Sequence, residues 1–65
     1  MIGEILVIDS PTETVVGKVI WEGAYKILLI SSVLSTVYRV LVSDIIYQDI
    51  DMGYLEVSHI YSLGG

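Results

Sequence analysis

The 65-residue chain contains no cysteine, which excludes a disulfide scaffold, thiolate metal ligands and a cysteine nucleophile, and leaves nothing that argues for an oxidising compartment. Basic residues are scarce: three Lys and Arg stand against eight Asp and Glu, for a net charge of −5. Long-range attraction to a polyphosphate and the basic stripe of most nucleic-acid binders are therefore absent, and any such binding has to be local. Alanine occurs once, at Ala24, so helices have little to be built from. Histidine also occurs once, at His59 in the C-terminal segment, and no nucleophile and base stand at a suggestive spacing; enzymatic activity is not expected. Long uncharged runs are missing too. The longest in the middle of the chain is the twelve residues Ile27 to Tyr38, four of them Ser or Thr. That is short of the ~17 a spanning helix needs, and no membrane association is predicted. The opening Met1-Ile2-Gly3-Glu4 has no basic n-region and predicts neither a secretory signal nor a transit peptide, so a cytoplasmic location is expected.

What the chain does have is strand-forming material. Apolar residues make up 54% and charged residues 17%, the reverse of a disordered composition, and Val, Ile and Thr together supply 22 of 65 residues. A chain this short buries only about 60% of the surface its unfolded form exposes, and without disulfides the fold rests on apolar burial and on partners. The pattern predicts strands at 4–9, 14–22, 25–31, 36–43, 45–50 and 54–60. Punctuation falls at Asp9-Ser10-Pro11-Thr12, Glu22-Gly23, Ser31-Ser32 and Asp51-Met52-Gly53. The expected fold is all-β: one domain over residues 1–65, a small, strongly bent barrel of five to six strands with no substantial helix, residues 53–65 adding a strand or a tail. Gly17, inside the second strand, marks a bend or a close approach of backbone.

Alternation sharpens this picture. Val15, Val19 and Trp21 fall on one face of the second strand, and Val16, Lys18, Ile20 and Glu22 on the other. In the middle of the chain, Ile27-Leu28-Leu29-Ile30, Val40-Leu41-Val42 and Ile45-Ile46-Tyr47 place apolar side chains on both faces, more than one small interior can cover. A second copy is the economical cover, and Val40, Leu41, Val42, Ile45, Ile46 and Tyr47 are the expected interface of a homo-oligomer. The C-terminal residues Leu55, Val57 and Tyr61 are the competing cover.

Two stretches carry a resemblance. Val15-Val16-Gly17-Lys18-Val19-Ile20-Trp21-Glu22-Gly23-Ala24-Tyr25-Lys26-Ile27-Leu28-Leu29 resembles the first conserved segment of Sm-like proteins, especially of the bacterial Hfq type. Val37-Tyr38-Arg39-Val40-Leu41-Val42-Ser43-Asp44-Ile45-Ile46 is similar to the short second segment. The resemblance covers about residues 4–50. It implies an SH3-like, five-stranded bent sheet whose fourth and fifth strands pair between neighbours in a ring, here of about five to eight subunits, that binds single-stranded RNA or DNA. By position it implies nucleic-acid contacts from Tyr25 and Arg39, with Lys26 beside them. The chain departs from the family pattern in having only three residues before its first strand, Gly23 where an aspartate is usual, Val40 where the Hfq type has histidine, and no arginine-glycine pair.

The same residues carry chemistry of their own. An aromatic ring beside a cation is the minimal single-strand platform, the ring stacking a base for roughly 1–3 kcal/mol and the arginine meeting a phosphate. Against this stands an ordinary structural role: Tyr25 packing at a strand end, Arg39 paired with Asp44 or Glu22, and Lys18 and Lys26 as solvated charges. Two further readings stay open. One is an SH3-like structural or protein-interaction module that forms homo-oligomers without nucleic acid. The other is a ubiquitin-like sulfur carrier using Gly64-Gly65, which requires an amphipathic helix within residues 22–36, where no helical periodicity is found. Asp44, Asp49, Asp51 and Glu56 are acidic but lack the spacing of a calcium loop, and no metal or cofactor is expected.

Overall fold

The computed structural model describes residues 1–31, 36–49 and 53–65. Their β-branched and aromatic content resolves into seven strands: β1 (Ile5–Asp9), β2 (Thr14–Glu22), β3 (Lys26–Ser31), β4 (Thr36–Leu41), β5 (Ile46–Asp49), β6 (Gly53–Glu56) and β7 (His59–Gly64). No helix occurs among the described residues, as the composition predicts. All strands belong to one antiparallel sheet in the order β6-β5-β4-β3-β2-β1-β7.

The strand count exceeds the expected five to six because the predicted strand at 54–60 is two strands. Its first half pairs with β5 and its second half with β1. The handover takes two residues: the Val57 amide donates to the Ile45 carbonyl at 2.6 Å and the Ser58 amide to the Asp9 carbonyl at 2.7 Å. The last segment thus joins the two ends of the β1–β5 meander by chain connectivity. No ladder runs between β6 and β7, so both are sheet edges among the described residues.

The interior is assembled by period-2 alternation. Leu6, Ile8, Val15, Val19, Leu28, Leu41, Tyr47 and Val57 form the buried cluster, with Ile30, Leu55 and Ile60 packed against it. Gly17 faces this interior opposite Leu6. A Cβ built there would lie 3.0 Å from Leu28 Cβ and 3.1 Å from Ile30 Cγ1, so the close approach expected of this glycine is present.

Strict alternation fails at one informative place. The β2–β3 register shifts between Val19 and Trp21, so Ile20 is accommodated as a bulge and Trp21 leaves the face of Val15 and Val19. Trp21 is exposed, which corrects the expectation that it shares the face of Val15 and Val19.

The first turn behaves as its residues dictate. Ser10 N–H donates to the Glu13 carbonyl at 2.8 Å, Ser10 Oγ donates to the same carbonyl at 2.9 Å, and the Glu13 amide donates back to Ser10 Oγ at 3.2 Å. This local ring of hydrogen bonds is the usual service of a turn serine. It holds Glu13 at the mouth of the interior.

Candidate functional site

The three residues singled out as nucleic-acid contacts lie in different surroundings. Tyr25 sits in the β2–β3 turn, exposed, with its ring 4.9 Å from that of Trp21 and tilted by 39°. The indole lies over Gly23, where any Cβ would collide with it. Lys26 follows Tyr25, but its Nζ is 3.3 Å from Glu22 Oε1 and 3.6 Å from Glu4 Oε1. The amino terminus joins the same group, at 2.8 Å from Glu22 Oε2 and 3.2 Å from Glu4 Oε1. The ammonium of Met1 holds both carboxyls below the usual carboxylate range, helped at Glu4 by the Ser62 hydroxyl and at Glu22 by Lys26. In return Glu22, more than Glu4, raises the amino terminus above its ordinary value.

Arg39 faces the other end of the interior. It is opposite Leu28 on the inward side of the sheet and its side chain is only 18% exposed. Its Nη1 donates to Glu13 Oε1, the same oxygen that accepts the Tyr47 hydroxyl at 2.8 Å. Among the described residues its ion-pair partner is Glu13, in the first turn, and not the Asp44 or Glu22 expected from the sequence. Burial raises the Tyr47 phenol above its ordinary value, the Ser10 hydroxyl acts the other way, and Glu13 adds to the rise. Tyr25 and Lys26 thus border one end of the β1–β2 hairpin and Arg39 the other; the fold does not bring the three together.

The expected interface residues also divide. Leu41 and Tyr47 are buried within their own chain, Tyr47 completely, and cannot serve as contact residues for a second copy while the fold is intact. Val40 and Val42 are half-buried, and Ile45 and Ile46 are exposed. β4 lies between β3 and β5, and the outer edge of β5 is occupied by β6. A ring made by joining the fourth and fifth strands of neighbouring copies has no open edge there. The C-terminal residues Leu55 and Val57 enter the core instead of covering the second face.

Among the described residues that second face is left largely uncovered, Val7 excepted. Trp21, Ile27, Val40, Gln48 and Tyr54 are successive partners across five strands. Ile5, Lys18, Leu29 and Tyr38 form a neighbouring row, and Tyr61, Val7 and Val16 a third. Paired residues share a face, so these rows make one outward surface. It exposes Val16, Trp21, Tyr38, Tyr54 and Tyr61, with Tyr38 at 53%. Lys18 is the charge at its middle; Asp9, His59 and Glu56 lie at its margins.

Two concavities adjoin this surface. A shallow cleft of about 140 Å³ separates the β2–β3 turn from the 41–44 segment and is lined by Tyr25, Lys26, Ser43 and Asp44 among others. It is below the ~300 Å³ at which small-molecule sites begin. An open groove of about 380 Å³ is lined by Ile45, Ile46, Tyr54 and Glu56. Among the described residues no group of three His, Cys, Asp or Glu is placed to hold a metal ion. Asp51 and the side chain of Asp49 lie outside the described residues. His59 stacks against Tyr61 at 5.1 Å, and its Nδ1 is 3.9 Å from Asp9 Oδ2, beyond hydrogen-bond reach. Residues 26–31, where a carrier would need its helix, are strand, and Gly64 pairs with Ile5 while Gly65 rests against the backbone of Gly3 and Glu4. No helix among the described residues is long and apolar enough to cross a membrane.

Sequence reasoning missed two residues. Glu13 organises Arg39 and Tyr47, and the only local signal is its place at the end of a Ser-Pro-Thr turn. Trp21 was assigned to the wrong face because a bulge leaves no mark in an apolar run. No protein-family model, curated protein or solved structure matches this chain.

Proposed function

We propose that this chain is an SH3-like barrel of the Sm-like kind that acts as a homo-oligomeric interaction module, assembling with copies of itself without nucleic acid. The carrying observation is the outward surface of three apolar rows, on which Tyr38 and Tyr54 are more than half exposed. Exposing such a patch is costly in a monomer and is relieved by association. A standard interface covers about 800 Å² per partner, roughly a fifth of the 4220 Å² this chain exposes. What supports the barrel is the passage of the C-terminal segment from β5 to β1, which joins the two ends of the sheet through Val57 and Ser58 without a ladder between β6 and β7.

Charge supports assembly without nucleic acid. Arg39 is held by Glu13 and Lys26 by Glu4 and Glu22, so a phosphate would have to displace a carboxylate at either position. The exposed Trp21–Tyr25 ring pair is the one feature that favours a single-strand platform. Light scattering coupled to size exclusion, run beside oligonucleotide titrations at physiological salt, separates the readings. The expected result is a closed oligomer that binds neither oligo-U nor oligo-A and that dissociates in Tyr38→Lys with its circular dichroism unchanged. A monomer at every concentration overturns the proposal. An oligomer whose oligonucleotide binding is lost in Tyr25→Ala returns the Sm-like nucleic-acid function.

A further inference from the structure

The sheet ends in two edges of different character. β6 is four residues long, begins at Gly53 with φ of +78° and carries Glu56. Shortness and a charge are devices that keep an edge from pairing with another chain. β7 has neither: His59–Gly64 runs six residues with no acid, no Lys or Arg and no proline. Its residues are almost all exposed, and no ladder lies on its outer side among the described residues. Its irregularity is confined to the end, where the register with β1 shifts between Ile5 and Leu6.

Charge selects among the ways the two edges could be used. At a net charge of −5, two copies repel, and edges that meet should be those without carboxylates. Pairing β6 with its own copy would bring two Glu56 side chains to one seam. Pairing β7 with its own copy brings no carboxylate of the strand itself, since its acidic neighbours, Asp9 beside His59 and Glu4 at the Ser62 hydroxyl, belong to β1 and the segment before it.

Symmetry then restricts the register to axes that fall on a residue, and the irregular end at Gly64 favours the run 59–63, centred on Tyr61. A twofold axis perpendicular to the sheet keeps outward faces together, so an outward residue must pair with an outward residue of the other copy. Tyr61 is outward, paired to Val7, and so is His59, paired to Asp9; Ile60, opposite the fully buried Ile8, is inward. Centring the axis on Tyr61 places the two Tyr61 side chains opposite each other and pairs the whole run 59–63 with itself.

We propose, resting on the self-assembly reading above, that two copies pair antiparallel through β7 about a twofold axis at Tyr61, making one continuous sheet of fourteen strands. The row Val16–Val7–Tyr61 then continues into Tyr61, Val7 and Val16 of the second copy, and the two outward faces join into one apolar surface on which Tyr38 and Tyr54 stay exposed, the surface that a second such pair covers face to face. Aromatic pairs facing each other across a seam are favourable cross-strand partners.

The absence of cysteine makes the test direct. Directly opposed residues have Cα atoms about 4.5–5.5 Å apart, inside the disulfide range. In Tyr61→Cys under mild oxidation, the disulfide-linked dimer should form at least about tenfold faster than in Tyr54→Cys, which places the thiol on the β6 edge. In the unaltered protein, amide exchange at 59–64 should slow with rising protein concentration while that at 53–56 does not, a readout independent of any substitution. An oligomer whose Tyr61→Cys cross-links no faster than Tyr54→Cys, or whose β7 amides ignore concentration, overturns β7 pairing and leaves self-assembly standing. A chain that stays monomeric overturns both.

Discussion

Replacing Glu13 tests the interior polar cluster and, through it, the assignment of Arg39. In Glu13→Ala the Tyr47 hydroxyl loses the acceptor it meets at 2.8 Å, on a side chain with no exposed surface. A hydrogen bond to a charged group contributes about 1.5–3 kcal/mol. Arg39 loses its ion pair at the same time, but Glu13 is 37% exposed, so that pair is worth no more than about 0.5–1 kcal/mol after solvent screening. Water can reach the emptied position, which limits the penalty on the phenol to the lower part of its range. The sum is a loss of about 2 kcal/mol, which in a domain of this size lowers the melting temperature by about 10 °C. Tyr47→Phe removes only the hydroxyl and should cost about 1–1.5 kcal/mol, because Glu13 keeps Arg39. The double variant should cost less than the sum, with a coupling energy of about 1 kcal/mol measured by urea denaturation of all four proteins. A coupling below about 0.3 kcal/mol, the level at which independent sites add, would show that Glu13 and Tyr47 do not share this bond in solution.

Other consequences are equally open to measurement. Gly17→Ala introduces a Cβ at 3.0 Å from Leu28 Cβ and 3.1 Å from Ile30 Cγ1, and should cost about 1–3 kcal/mol in chemical denaturation; an unchanged midpoint would refute the close approach. Tyr47, whose phenol is raised by burial, favours its neutral form in the fold. Its contribution is complete below about pH 10, the unfolded value, and falls as pH rises from there through the folded value, so alkaline unfolding should be shallower in Tyr47→Phe than in the unaltered protein.

The class of the fold is written in the composition. One alanine, 22 β-branched Val, Ile and Thr residues and turn residues at regular intervals admit strands and little else; the strand at 14–22 lies where alternation puts it, and the one expected at 36–43 ends two residues early, at Leu41. The residue pattern also determined that apolar side chains would fall on both faces of the middle strands, since a period of two cannot hide Leu28 and Leu29, or Val40 and Leu41, on one side. Gly17 as a site of close packing was legible because its chemistry is local, whereas Tyr25, expected to begin the third strand, lies in the turn before it.

Where the strands stop and which charges meet depend on pairings between segments far apart in the chain. The break at Val57–Ser58 follows from pairing with β5 on one side and β1 on the other, partners far apart in sequence. The bulge that turns Trp21 outward is a matter of register with β3 and leaves no trace in composition. Arg39 reaches a carboxylate 26 residues away, and Tyr47 the same carboxylate from 34 residues away. Such contacts are set by how far the sheet curls, which depends on the sum of all its pairings, and no window along the chain contains that sum. The same curl puts Leu41 and Tyr47 inside and leaves β6 and β7 as edges, moving the open pairing surface from the fourth and fifth strands to the last.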